Sequence, residues 1–135
     1  MPTMVTLDRE HGIRITTAAG PTSVADFLAV NRTIHADPDL AMTTRSLVDL
    51  RYASLRDLTR SDVQQAVKLP ILPRQAETRM AVVTSSPLAY GLARMFAMMQ
   101  AGPRRGEVQV FNTLDGAMAW LTARGAGDGR DVGAS

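Results

Sequence analysis

From Thr78 to Leu121 the chain reads TRMAVVTSSPLAYGLARMFAMMQAGPRRGEVQVFNTLDGAMAWL. A short apolar run, Met80–Thr84, is followed by Ser86-Pro87, with proline suited to the first turn of a helix. That helix carries an apolar pattern until Gly102-Pro103 ends it. An alternating run, Val108–Phe111, comes next, and Asn112 and Asp115 frame a last helix with Leu114, Met118 and Leu121 on one side. Strand, helix, strand, helix is the repeating unit of a parallel α/β sheet. No other feature restricts the fold class as strongly.

The preceding residues extend the pattern. Met4–Asp8 predicts a strand, Glu10-His11-Gly12 a turn, and Ile13–Thr17 a second strand with Ile13 and Ile15 on the core side, closed by Gly20-Pro21. Thr22 or Ser23 can cap a helix to about His35, in which Val24, Phe27, Leu28, Asn31 and Ile34 share a face. Asp37-Pro38-Asp39 stops it, and Ser46–Arg51 predicts a buried strand. After a loop over Tyr52–Leu58, Thr59 and Asp62 make a capping box for a helix that Pro70 and Pro73 confine to about Leu69. Ile71 and Leu72 fall in the loop 70–77 between those prolines. The expected order is ββαβαβαβα: one α/β domain over residues 1–124, with three parallel strands flanked by helices, and a disordered tail over 125–135.

Composition excludes several classes of function. The 135 residues contain no cysteine, so disulfides, zinc–thiolate sites and thiol nucleophiles are out. No apolar run approaches the roughly 20 residues that span a bilayer, and MPTMVTLDRE does not read as a signal peptide. A cytoplasmic location is the simplest expectation. The high isoelectric point, about 9.7, reflects arginines rather than a basic surface, since the net charge is +2 and Lys68 is the sole lysine. Only Arg104 and Arg105 are adjacent, and aromatics make up 4% of the chain. Nucleic-acid binding is therefore not expected.

The order of elements and several short motifs resemble the SpoIIAA-like branch of the STAS family, named for sulfate transporters and anti-sigma-factor antagonists. The resemblance rests on Val48-Asp49-Leu50-Arg51, Met80-Ala81-Val82-Val83, the helix Tyr90-Gly91-Leu92-Ala93-Arg94-Met95, and Val110-Phe111 leading into Ala117-Met118-Ala119-Trp120-Leu121. It implies a compact α/β domain that works by binding a partner or an apolar ligand rather than by catalysis. Anti-sigma antagonists of the wider family carry an Asp-Ser-Ser-Gly-like motif in which a serine is phosphorylated. This chain reads DLRYASLRDLTRSDV there, with Ser54, Thr59 and Ser61 but without the motif.

Two regions are candidate sites. In open parallel sheets, ligands bind beyond the carboxyl ends of the strands, which points to Ser54, Thr84, Ser85, Ser86 and Asn112. Helix N-termini there would favour polar or anionic groups, although the same side chains serve equally well as caps. The helix Pro87–Gln100 is the second region. Leu88, Leu92, Met95, Phe96 and Met99 suffice to dock on a sheet, while Tyr90 and Met98 lie on another face and Arg94 follows Tyr90 by one turn. That surplus predicts a homodimer contact or a pocket, with Tyr90, Arg94, Met95 and Met98 at it.

No catalytic group, metal site or cofactor is expected. Ser85-Ser86 lack the nucleophile elbow, His11 has no visible partner, and His35 fits the end of a helix, where a cation is favoured. The reading that best fits is a non-catalytic binding module acting as a homodimer, with a possible protein partner. A carrier of a small apolar or amphipathic ligand, with the Pro70–Pro73 loop at its pocket, is the alternative. A small enzyme using the strand-end polar groups or Asp49 is the third reading.

Overall fold

The computed structural model describes residues 3–68, 78–100 and 106–123. The expected loop over 70–77, the Gly102-Pro103 stop, Arg104-Arg105 and the tail over 125–135 lie outside them. The elements run β1 (Thr3–Asp8), β2 (Ile13–Pro21), α1 (Val24–Ala36), α2 (Pro38–Ala41), β3 (Arg45–Ser54) and α3 (Arg60–Val67). They continue with β4 (Arg79–Val83), α4 (Pro87–Gln100), β5 (Glu107–Phe111) and α5 (Leu114–Thr122). This is the expected α/β order with one short helix added. Asp37 ends α1 and at once caps α2, accepting from the Asp39 N–H at 2.9 Å, with Pro38 in the first turn.

The strands form one sheet in the order β1-β2-β3-β4-β5. Only the β1–β2 pair is antiparallel, so the parallel block takes in β2 as well as the three strands expected. β2 and β3 are also longer than their apolar cores suggest. Gly20, at φ +72°, lets β2 run on to Pro21 beyond a register shift between Thr17 and Ala19, and β3 runs beside it to Ser54. Gly106 has a different task. It enters β5 at φ +75°, against Thr78, where any Cβ would collide, and Glu107 N–H then donates to the Thr78 carbonyl at 2.9 Å.

Helix starts follow the sequence closely. Ser23 and Thr59 form capping boxes with Asp26 and Asp62. Ser86 accepts from Ala89 N–H at 3.1 Å. Thr113, rather than Asn112, caps α5 by accepting from Gly116 N–H at 3.1 Å.

Strand alternation divides the core in two. Ile13, Leu47, Ala81 and Val83 pack against Ala117 and Leu121 of α5 on one side of the sheet. Ala18, Leu50, Met80 and Val82 face the other side, which α1, α3 and α4 cover together. Because α1, α3 and α4 each join neighbouring strands across the same face, their crossovers share one hand. No helix among the described residues is long and apolar enough to cross a membrane.

The docking of α4 departs from the expected stripe. Its buried residues are Ala89 and Ala93, with Leu92 and Phe96 packed beside them, whereas Leu88 is 49% exposed. Small side chains let the helix backbone come close to the sheet, and the bulky residues move to its flanks.

Candidate functional site

The strand-end residues differ in their surroundings. Ser54 lies in β3, and its carbonyl accepts from Thr22 N–H at 3.0 Å. Ser85 Oγ donates to the Arg51 carbonyl at 2.7 Å, Ser86 caps α4, and Asn112 is exposed beside the α5 cap. Thr84 is fully buried, and its hydroxyl finds no partner. The strand order contains no reversal, which is where a crevice opens in doubly wound sheets. Thr59 is likewise taken up as the α3 cap.

Asp49 is paired rather than poised. Arg51 Nε and Nη2 donate to its two oxygens at 3.0 and 2.8 Å, and the Arg51 N–H adds a third bond at 3.0 Å. Burial pushes the Asp49 carboxyl up, but these bonds outweigh it and hold the group below the ordinary carboxylate range. The same bonds raise Arg51, whose guanidinium lies 5.2 Å from the Tyr52 ring centre.

His11, expected to stand alone, meets Asp8 with Nδ1 2.8 Å from Oδ2. That hydrogen bond raises the His11 pKa and lowers that of Asp8. Asp8, Glu10 and His11 bring ligand-type atoms within 4.8 Å of one another on this turn, a grouping common on exposed surfaces without an ion.

A cavity of about 120 Å³ lies on the opposite side of the sheet from α5. The sheet contributes Arg14, Ser46, Val48, Leu50 and Val82 to its wall. α1 contributes Phe27, Asn31 and Ile34, α3 contributes Val63 and Ala66, and α4 contributes Leu92 and Phe96. Most of this surface is apolar, and its polar lining residues are Arg14, Thr16, Asn31, Ser46 and Asp62. Arg14 and Ser46 are register partners on β2 and β3, near the amino ends of those strands. Asn31 joins the same wall from α1.

Arg14 is fully buried, and one of its amino nitrogens, Nη1, donates to the Leu40 carbonyl of α2 at 2.9 Å. Burial lowers its pKa to about 10, which leaves it charged at neutral pH. Ser46 is 1% exposed, and neither its Oγ nor Asn31 Nδ2 has a hydrogen-bond partner. Asp62 also touches the cavity, but its carboxylate is engaged by the Thr59 N–H at 2.9 Å.

The sequence pattern concealed Arg14 and Ser46. In Ile13–Thr17, alternation assigns Arg14 and Thr16 to the face away from the core, as in a strand with one wet side. Because helices pack on both sides of the sheet, both faces of β2 are covered. Asn31 gave a signal: it interrupts an otherwise apolar helix face.

Against this geometry, a solved structure offers a likeness of fold. It is an uncharacterized protein of the DUF3478 family from Shewanella loihica PV-4, with a SpoIIAA-like fold. The TM-score is 0.56 at 17% identity, covering 88% of this chain and 91% of the other. The fold of this chain is SpoIIAA-like. No family model matches the chain, and no curated protein does. At this identity the likeness carries the fold alone.

Proposed function

We propose that this chain is a non-catalytic binding module whose ligand is a small, largely apolar molecule held between the sheet and helices α1, α3 and α4. The cavity carries the reading: small-molecule sites are concave and mostly apolar, and this partly open one has about 120 Å³ lined chiefly by aliphatic and aromatic side chains. The pairing of Asp49 with Arg51 supports a role other than acid–base catalysis. Benzene is a suitable neutral probe, since an engineered apolar cavity of about 150 Å³ holds it. Benzene should raise the melting temperature of the protein, and Ala66→Leu, which fills the cavity from α3, should abolish that rise. No benzene effect on the unsubstituted protein, or an equal effect on the variant, would refute the proposal.

The outer face of α4 favours a second reading, self-association. Leu88 is 49% and Met98 71% exposed, with Met95 half-buried between them and Tyr90 and Arg94 alongside. Such a stripe suits a second copy of the chain. Met98→Glu should convert a dimer into a folded monomer by light scattering; a monomeric unsubstituted protein removes this reading.

A further inference from the structure

We infer that the cavity takes a hydrocarbon of about one ring that carries no hydrogen-bonding group, and discriminates against a ring of the same size with a polar atom in it. This rests on the ligand-binding proposal above and names the class of molecule that the same cavity would accept.

Arg14, Thr16, Asn31, Ser46 and Asp62 line the cavity, yet they turn little polar surface towards its space. Arg14 is 0% exposed, and its Nη1 donates to the Leu40 carbonyl at 2.9 Å. Ser46 is 1% exposed and Thr16 4%. Ser46 Oγ and Asn31 Nδ2 each have less than 1 Å² of accessible surface. The Asp62 carboxylate accepts from the Thr59 N–H at 2.9 Å and so completes the α3 capping box. By contrast, Phe27, Val48, Leu92 and Phe96 are only partly buried, and all four border the space. The residue types in the wall are mixed, but the surface offered to a ligand is almost wholly apolar.

That surface sets the class of guest. A ring nitrogen or a hydroxyl entering it gives up hydrogen bonds to water and gains no partner in return. A hydrocarbon gives up none, and its burial is favourable in proportion to its area. Phe27, Met80 and Phe96 belong to the wall, and aromatic rings and thioethers make favourable contacts with a further ring. The volume of about 120 Å³ is somewhat below the roughly 150 Å³ of an engineered cavity that holds benzene, which limits the guest to about one ring.

Benzene and pyridine share one shape, and pyridine differs by a ring nitrogen that accepts a hydrogen bond. Calorimetric titration of the full chain with each, in mildly alkaline buffer where pyridine is uncharged, tests the inference. Benzene should bind about ten-fold more tightly than pyridine, or better. Thr16→Val and Ser46→Ala each remove a wall hydroxyl with little change of shape, and should leave that ratio within about two-fold. A larger change in either variant would show that its hydroxyl meets the ligand, and would overturn the inference. Equal affinity for benzene and pyridine, or tighter binding of pyridine, would overturn the hydrocarbon class and leave the cavity proposal standing. Failure of benzene to bind would overturn both.

Discussion

The two faces of this sheet each bury an arginine that donates to a helix carbonyl, but only one of the two borders a cavity. On the α5 side, Arg79 is 2% exposed, and its Nη1 donates to the Trp120 and Ala123 carbonyls at 2.8 and 3.1 Å. Its guanidinium also lies 5.5 Å from the Trp120 ring centre, so it fastens the end of α5 where carbonyls lack helical partners. On the other side, Arg14 belongs to the wall of a cavity that also contains Ser46 and Asn31. One helix closes the first face with interlocked side chains; three helices roof the second and leave space.

Mutations on the closed face should have the largest effects. Arg79→Ala should lower stability by about 3–5 kcal/mol in urea denaturation, because it strips donors from two carbonyls and leaves a void. A cost below about 1 kcal/mol would show that Arg79 does not fasten α5, and the contrast would fail.

Matched leucine truncations compare the faces directly. Leu121 is 1% exposed against Ala81 and Val83, so Leu121→Ala should cost about 3–4 kcal/mol. Leu92 is only partly buried and already borders empty space, so Leu92→Ala should cost about half as much. Equal costs would mean that the cavity side is as tightly packed as the α5 side.

The smallest effect belongs to the rim. Because the folded Asp49 carboxyl lies below its ordinary value of 3.8, its contribution to stability is complete above that pH and is lost as pH falls through the folded value. Asp49→Asn should therefore cost about 1–2 kcal/mol at neutral pH, a difference from the parent that shrinks in acid below pH 3.8. A pH-independent difference would show that the Arg51 pair contributes nothing.

Much of this fold was legible in the sequence because local signals agreed with one another. The capping boxes at Ser23 and Thr59, Pro87 in the first turn of α4 and the apolar run of β4 each mark an element that formed. What could not be read depends on which strands become neighbours. Arg14 alternates like a solvated residue and is buried because helices cover that face of β2, with Leu40 of α2 accepting from it. The α4 stripe misled for a related reason: bulky residues carry the hydrophobic pattern, but Ala89 and Ala93 make the closest approach. The hydroxyls at the strand ends signalled helix starts, and Ser86 and Thr113 serve as such. The cavity has no linear signature, since its wall gathers residues from β2, β3, β4, α1, α3 and α4.

The central claim is that the two faces differ in capacity for a ligand, and methyl NMR during a benzene titration tests it most directly. Methyl signals of Val48, Leu50, Leu55, Val82 and Leu92 should shift together with one binding curve, while those of Leu47, Val83 and Leu121 stay in place. Shifts of similar size on both faces, or none on the three-helix face, would contradict the account.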